Sequence, residues 1–465
     1  MTENYINESI RLNAPMNEVE IWENEIRGFL LSPEFRAMKT ADDYFDGRHD
    51  ILNRRRTAIG DLGRKMEIEN LPNNRIVDNQ YRKAVTQKCN YLAGKPFVFE
   101  TENLEFSSLL KETFDRAFYR LVKNIALDSI NCGIGWLHLY YDEFGKLRFR
   151  RFPSSEIIPL WKDAEHTELD VAIRVFDITT YEARQRKIVT KVHVYTRTGI
   201  EYFEYRDGKL IAEFPFRQAY ISRGSDEYNW QKVPIIAFKR NSDLSPLINN
   251  VKSLQDALNA VISDFMNNMQ EDARNTILVI KNYDGENLAE FRRNLALFGA
   301  VKVRTVEGSE GGVGTLNVEV NADNYKQLIE ILRRSIIENC MAFDAKSERL
   351  GGNPNQINIR SMYSDIDLDA NETETEFCAS MERVVQFLIW HFNNVGNGNF
   401  EGEEVSFCFD RDMIMNETEI IDGVLKSTPL LSQRTAIANH PYVKDVEREL
   451  RWINLEKDLK GEKYV

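Results

Sequence analysis

The stretch from Leu247 to Phe265, LINNVKSLQDALNAVISDF, sets Leu247, Val251, Leu254, Leu258, Val261 and Phe265 at steps of 4, 3, 4, 3 and 4. That spacing is a heptad seam, narrower than the broad apolar stripe of an ordinary surface helix. It predicts one helix from Pro246 to about Ala273, about 40 Å long at about 1.5 Å per residue. A second seam runs through Tyr325, Leu328, Ile329, Leu332, Ile336, Cys340 and Phe343. Between the seams, 276–281, 286–298, 300–306 and 315–320 read as strand, helix, strand and strand, with Gly308, Gly311, Gly312 and Gly314 in a turn before the last. Two seams bracketing a small αβ insert read as a helical stalk with a cap at its tip.

Outward from the stalk, the first hundred residues are helical in pattern, over 17–31, 37–46 and 76–93, and 109–132 continues it. The third helix carries Ile76, Val77, Tyr81, Ala84, Val85, Cys89 and Leu92 on one stripe and stops at Gly94-Lys95-Pro96. The period then changes to two. Short segments at 135–141, 147–152, 171–176, 191–196, 200–205, 209–214 and 233–238 predict an antiparallel meander. Beyond the second seam, 344–356 is a charged loop around Gly351-Gly352-Asn353-Pro354, 357–394 one long helix, and 403–409 a strand. Two short helices follow in 416–442, the second with Ser432 as its cap, and the tail from 445 is a charged helix. The fold class is α+β, mainly α.

The 465 residues carry 60 Lys and Arg against 73 Asp and Glu, a net charge of −13. Such a surface repels a polyanion on average, which excludes a protein that grips nucleic acid with its whole exterior. Five widely spaced cysteines offer no CxxC half-site and fit reduced thiols. The N-terminal stretch has no apolar signal region and no apolar run is long enough to span a bilayer, so a soluble protein is expected where it is made, with no membrane partner. No Walker A pattern, HExxH or GxSxG occurs, and neither a cofactor, a metal nor a catalytic residue is expected. Asp365, Asp367, Asp369 and Glu376 approach a calcium loop, but Ala370 stands where the turn needs Gly, so they are expected to be a solvated acidic helix face. Arg54-Arg55-Arg56, with Arg64 and Lys65, is the one dense basic run. It is either a patch for nucleic acid or an acidic neighbour, or a loop paired with nearby acids.

Several segments, in order, resemble the portal proteins of tailed phages that infect Gram-positive bacteria. They are Asp43-Tyr44-Phe45-Asp46-Gly47, Asn74-Arg75-Ile76-Val77 with Tyr91 to Pro96, Asp128 to Trp136, Val233 to Asn241, Leu350 to Pro354 with the long helix after it, and Leu430 to Arg434 with His440 to Val443. The resemblance implies the portal fold, a dodecameric ring around a channel at one capsid vertex, with no catalytic activity. It implies a wing at 1–243, a first stem helix at 244–274, a clip at 275–320, a second stem helix at 321–343 and a tunnel loop at 344–356. A long kinked helix with a returning wing strand follows at 357–415, then crown helices at 416–465. The implied partners are further copies of the chain, double-stranded DNA in transit, the terminase large subunit, a head–tail adaptor, and the major capsid and scaffolding proteins. The protein would be assembled in the host cytoplasm and reside in the virion.

Within that frame the seams, with Leu328, Leu332 and Ile336 on the second, are expected to pack on each other and on neighbouring subunits. Gly308, Gly311, Gly312 and Gly314 would form a clip tip for partner docking. In the tunnel loop Lys346 and Arg349 would touch phosphate weakly, Glu348 would limit the attraction, and Gly351 and Gly352, followed by Asn353, would let the loop shift. Two other classes stay open from the residues alone: another structural head protein such as a scaffold or minor component, and a metal-dependent DNA-processing enzyme.

Overall fold

A computed structural model describes residues 18–59, 65–67, 72–182, 184–223, 226–272, 276–281, 312–317, 322–344, 356–411, 417–443 and 446–459. Among the described residues helix predominates over strand, in keeping with a mainly helical α+β chain. Contacts divide it into two compact units. One comprises Met1–Phe45, Arg82–Asn250 and Ile337–Val465; the other comprises Asp46–Tyr81 and Val251–Ile336.

The first unit opens with α1 (Glu18–Leu31) and α2 (Pro33–Phe45), divided at Ser32. The Ser32 hydroxyl accepts from Phe35 N at 3.0 Å, and Pro33 takes the first helical position, where a missing N–H costs nothing. The second helix therefore begins at Pro33 rather than at 37. In the second unit β1 (Thr57–Ile59) and β2 (Lys65–Glu67) pair antiparallel. Then come α3 (Gln80–Ala93), β3 (Val98–Glu100), α4 (Leu104–Thr113) and α5 (Arg116–Cys132). The helical pattern over 109–132 is thus two helices. Asp115 interrupts it by turning its carboxylate to Phe118 N at 2.8 Å, an N-cap that starts a new helix. α5 ends at Gly133, whose φ of 87° is left-handed and where a Cβ would lie 2.1 Å from Leu244 O, so only glycine fits.

From here the chain builds two antiparallel sheets. β4 (Ile134–Tyr141), β5 (Leu147–Phe152) and a later strand form one of three strands. The other, of five strands in the order β10-β9-β8-β7-β6, contains β6 (Ile157–Trp161), β7 (Leu169–Glu182), β8 (Gln185–Thr196), β9 (Gly199–Arg206) and β10 (Lys209–Gln218). β6 escaped the pattern reading because Pro159 interrupts it; it stands at a sheet edge, where a missing N–H is tolerated. β7 and β8 extend well past the expected 171–176 and 191–196. Their outer halves are joined by polar cross-strand pairs such as Thr190 to Asp177 at 2.7 Å and Lys187 to Glu182 at 2.9 Å, which an apolar count does not register. After a small hairpin of β11 (Ile221–Arg223) and β12 (Asp226–Tyr228), β13 (Ile235–Lys239) completes the three-stranded sheet beside β4.

One face of the five-stranded sheet is apolar and covered by α1: Ile21, Trp22 and Ile26 pack on Ile173, Val192, Val194 and Phe203. By strand alternation the opposite face carries Arg174, His193 and Tyr202 in one row. Arg174 lies 4.1 Å over Phe152 and 4.0 Å over Phe176, and Arg150 lies 4.5 Å over Tyr140. Arg150 Nη2 faces His138 Nδ1 at 3.2 Å.

α6 (Ile248–Asp272) follows, then β14 (Thr276–Lys281) paired with β15 (Gly312–Asn317), then α7 (Ala322–Asn339). α8 (Gln356–Val395) is a single 40-residue helix, as the pattern over 357–394 foretold. It lies along β13, with Phe377 edge-on to Phe238 at 5.1 Å and Ser380 Oγ donating to Ala237 O at 2.7 Å. β16 (Ser406–Cys408) returns to pair with β3. α9 (Glu417–Ser427), α10 (Gln433–Ala438) and α11 (Val446–Leu459) close the chain. Ser432 caps α10 through Thr435 N at 3.2 Å, as expected.

Two expectations fail here. Residues 76–79 are not helical: no helix or strand covers 72–79, and α3 begins only at Gln80. Gly312 and Gly314 are not in a turn but inside β15, opposite Lys281 and Val279, because a glycine between β-forming neighbours extends as readily as it bends. Gly308 and Gly311, with the expected helix at 286–298 and strand at 300–306, lie outside the described residues.

Candidate functional site

Within the second unit, the most deeply buried face of α6 bears more than the seam. Gln255, Asn259, Ser263 and Asn267, each four residues from the next, are at most 3% exposed. They stand in one row along the helix. Their acceptors take the backbone of the non-helical stretch before α3: Asn267 Oδ1 from Asn74 N at 2.7 Å, Ser263 Oγ from Ile76 N at 2.9 Å, and Asn259 Oδ1 from Asp78 N at 3.0 Å. Gln255 Oε1 accepts from Gln80 N and Tyr81 N at 3.1 Å each, and Gln255 Nε2 donates to Asp78 O at 2.7 Å. Asn259 Nδ2 is 2.8 Å from His49 Nδ1. Every second residue of the strap meets every fourth residue of the helix. Ile76 and Asp78 give their N–H groups, and Asp78 its carbonyl, to α6 side chains, and these bonds hold 76–79 out of α3 despite its apolar stripe.

The seam residues divide. Leu247, Val251, Leu258 and Ile336 are buried, while Leu254, Val261, Phe265 and Leu332 are half-buried and Leu328 is 43% exposed. Phe265 does meet the second seam, with its ring 4.9 Å from Tyr325. The apolar seam alone is therefore not what buries α6; the polar row shares that work. Of the basic run, Arg54, Arg55 and Arg56 are paired, while Arg64 and the Lys65 side chain lie outside what the structure describes. Arg54 pairs with Asp264 at 2.8 Å, Arg55 with Glu67 at 3.2 Å, and Arg56 Nη1 donates to Pro72 O at 2.6 Å.

In the first unit the acidic run on α8 is not a solvated face. Asp365 is exposed, but Asp369 is buried between two cations, Lys88 Nζ at 2.8 Å and Arg240 Nη2 at 3.1 Å. Asp367 accepts from Tyr91 Oη and meets Arg411, and Glu376 faces Lys239 at 3.3 Å. Helical spacing let the sequence place these carboxylates on α8, but only the fold supplies the basic partners, from α3 and the end of β13. Burial pushes the Lys88 ammonium down from its usual range, against the pull of Asp369. Lys346, Glu348, Arg349, Gly351, Gly352 and Asn353 lie outside the described residues, so no contact is assigned to the expected tunnel loop. Among the described residues no group of His, Cys, Asp and Glu is arranged to hold a metal ion. None of the described helices is long and apolar enough to cross a membrane.

Lys88, Arg240 and the polar row were not singled out from sequence. The row had a legible signal, four small or amide side chains at a strict interval of four inside a seam helix; the two cations had none.

Long helices, an antiparallel β meander and buried ion pairs make up the described residues. Residues 33–463 match the family model described as phage portal protein, SPP1 Gp6-like. The chain belongs to this family of tailed-phage portal proteins. It is 29% identical over 426 residues to the portal protein of Bacillus phage SPP1, covering 90% of this chain and 83% of that one. It is 25% identical over 440 residues to the portal protein of Clostridium phage phiCD119, covering 91% and 93%.

Proposed function

We propose that copies of this chain close into a ring, a dodecamer at one capsid vertex, and that genomic double-stranded DNA is packaged and later ejected through its channel. The observation that carries this reading is the family match over 33–463. In it, α6 and α7 are the stem, β14 and β15 belong to the clip, 344–356 is the tunnel loop, and α9 to α11 are the crown. Terminase supplies the chemical work of packaging, and the adaptor, capsid and scaffolding proteins are the other partners. The portal performs no catalysis. A net charge of −13 supports the reading, since duplex DNA carries one charge per about 1.7 Å and a basic tube would hold it fast.

Apolar side chains left uncovered on the stem helices support subunit packing: Leu328 and Ile331 on α7, 43% and 59% exposed, and Met266 and Met269 on α6. They also give a cleaner test than the buried Leu258, whose replacement would harm the monomer. The double variant Leu328→Asp, Ile331→Asp is expected to fold with an unchanged circular dichroism spectrum but to stay monomeric in mass photometry, where the parent protein forms rings. Rings of normal size from that variant would remove these helices from the subunit interface.

A further inference from the structure

The chain before and after 345–355 is held by one helix. On α3, Gln87 Nε2 donates to Phe343 O at 2.8 Å and Lys88 Nζ donates to Cys340 O at 2.5 Å, both just beyond the end of α7. From the same helix Lys88 reaches Asp369, and Tyr91 reaches Asp367, both on α8. Phe343 stacks on Tyr363 of α8 at 4.3 Å and 22°, closing the space between. Arg240 shares Asp369 and turns its other nitrogen, Nη1, to Ser245 O at 3.1 Å, just before α6. One carboxylate thus gathers two cations, and those cations hold the backbone at the entrance to α6 and at the exit from α7.

The charges of this node do not balance. Lys88, Arg240 and Asp369 have side-chain exposures of 2%, 7% and 8%, so two buried cations share one buried anion. Folding alone would be served by Arg240 and Asp369, a one-to-one pair. A second ion brought into the interior carries a heavy desolvation cost, and here its partner is already neutralised. A methionine would fill the same volume without that cost. What the methionine cannot do is bond the Cys340 carbonyl to the Asp369 carboxylate.

We propose that Lys88 is a positioning residue: it fixes the end of α7 against α8 on either side of 345–355, and its loss impairs DNA passage without weakening the fold. The DNA-passage part rests on the ring reading above.

The test uses the full chain with Lys88→Met and, separately, Asp369→Asn. Lys88→Met leaves a balanced pair and is expected to melt within a few degrees of the parent and to form rings. Asp369→Asn leaves two cations without an anion and is expected to melt far lower or not to fold. By hydrogen exchange, the Met341 and Ala342 amides, bonded to Glu338 O and Ile337 O at 3.0 Å each, are expected to exchange at least tenfold faster in Lys88→Met. Amides of β4 and β8 are expected to be unchanged. With terminase, ATP and linear duplex DNA, packaging by the Lys88→Met ring is expected to fall at least tenfold. Parent-like exchange at 341–342, parent-like packaging, or a loss of melting temperature as large as that of Asp369→Asn would each overturn the proposal. If the parent chain itself forms no rings, the ring reading fails, and the exchange arm still decides whether Lys88 fixes these helix ends.

Discussion

At His138 and His193 the environment departs far from that of an ordinary imidazole. Burial, then the guanidinium groups of Arg150 and Arg174, hold the His138 imidazole well below its usual range. Burial, then Arg174 and Arg150, hold His193 down at about 4. The unfolded chain takes up protons at both near pH 6.5, the folded chain resists, and acidification therefore favours unfolding. The contribution of these two histidines to stability is expected to be full above about pH 6.5 and to fall as pH drops toward 4, by up to about 1.4 kcal/mol per pH unit for each histidine in that window. Thermal melts of the parent and of His193→Gln across this range check it: the variant is expected to show the shallower slope. None of this was legible in the sequence, where His138 is one apolar-flanked histidine in a strand. Its neighbour Arg150 is opposite it only because β4 and β5 pair in that register.

At the scale of the element, α6 shows how a correct reading can miss its own reason. The heptad positions are real, and the helix forms where they predict. An apolar count is blind to Gln255, Asn259, Ser263 and Asn267, which are among the most buried residues of the helix. The same blindness made 76–93 one helix, since the stripe through Ile76 and Val77 is genuinely periodic. Tertiary hydrogen bonds overrode local preference there, and nothing local to 76–79 announces it. The elements that were legible, among them α1, α8, β4, β5, β9 and the inner halves of β7 and β8, are those whose apolar period and burial coincide. The polar row makes a sharp forecast. Asn259→Ala removes the acceptor for Asp78 N–H and the partner of His49, so it is expected to cost about 1–3 kcal/mol per buried group left unsatisfied. Ser253→Ala, on the exposed side of the same helix, is expected to stay within about 0.5 kcal/mol of the parent. Urea unfolding of the two variants distinguishes the cases.

For the whole molecule, the proposed ring reading makes the protein a conduit. A conduit must let its cargo slide. Isolated rings are accordingly expected to retain a short DNA duplex weakly at physiological salt, with a Kd no tighter than about 10⁻⁴ M, the loose end of non-specific binding. Filter binding across a salt series checks this, and tight, salt-insensitive retention would contradict an acidic, low-friction wall. The strap on α6 has a consequence of another kind. Four residues of helix advance about 6.0 Å, while two residues of extended chain advance about 6.6 Å. The two rulers nearly agree, so all four marks can be met, each drifting by about 0.6 Å from the last. The row ends where the strap does: α3 begins at Gln80, and Pro72, two residues before Asn74, has no N–H to give. The clasp is as long as the non-helical run between a proline and a helix start.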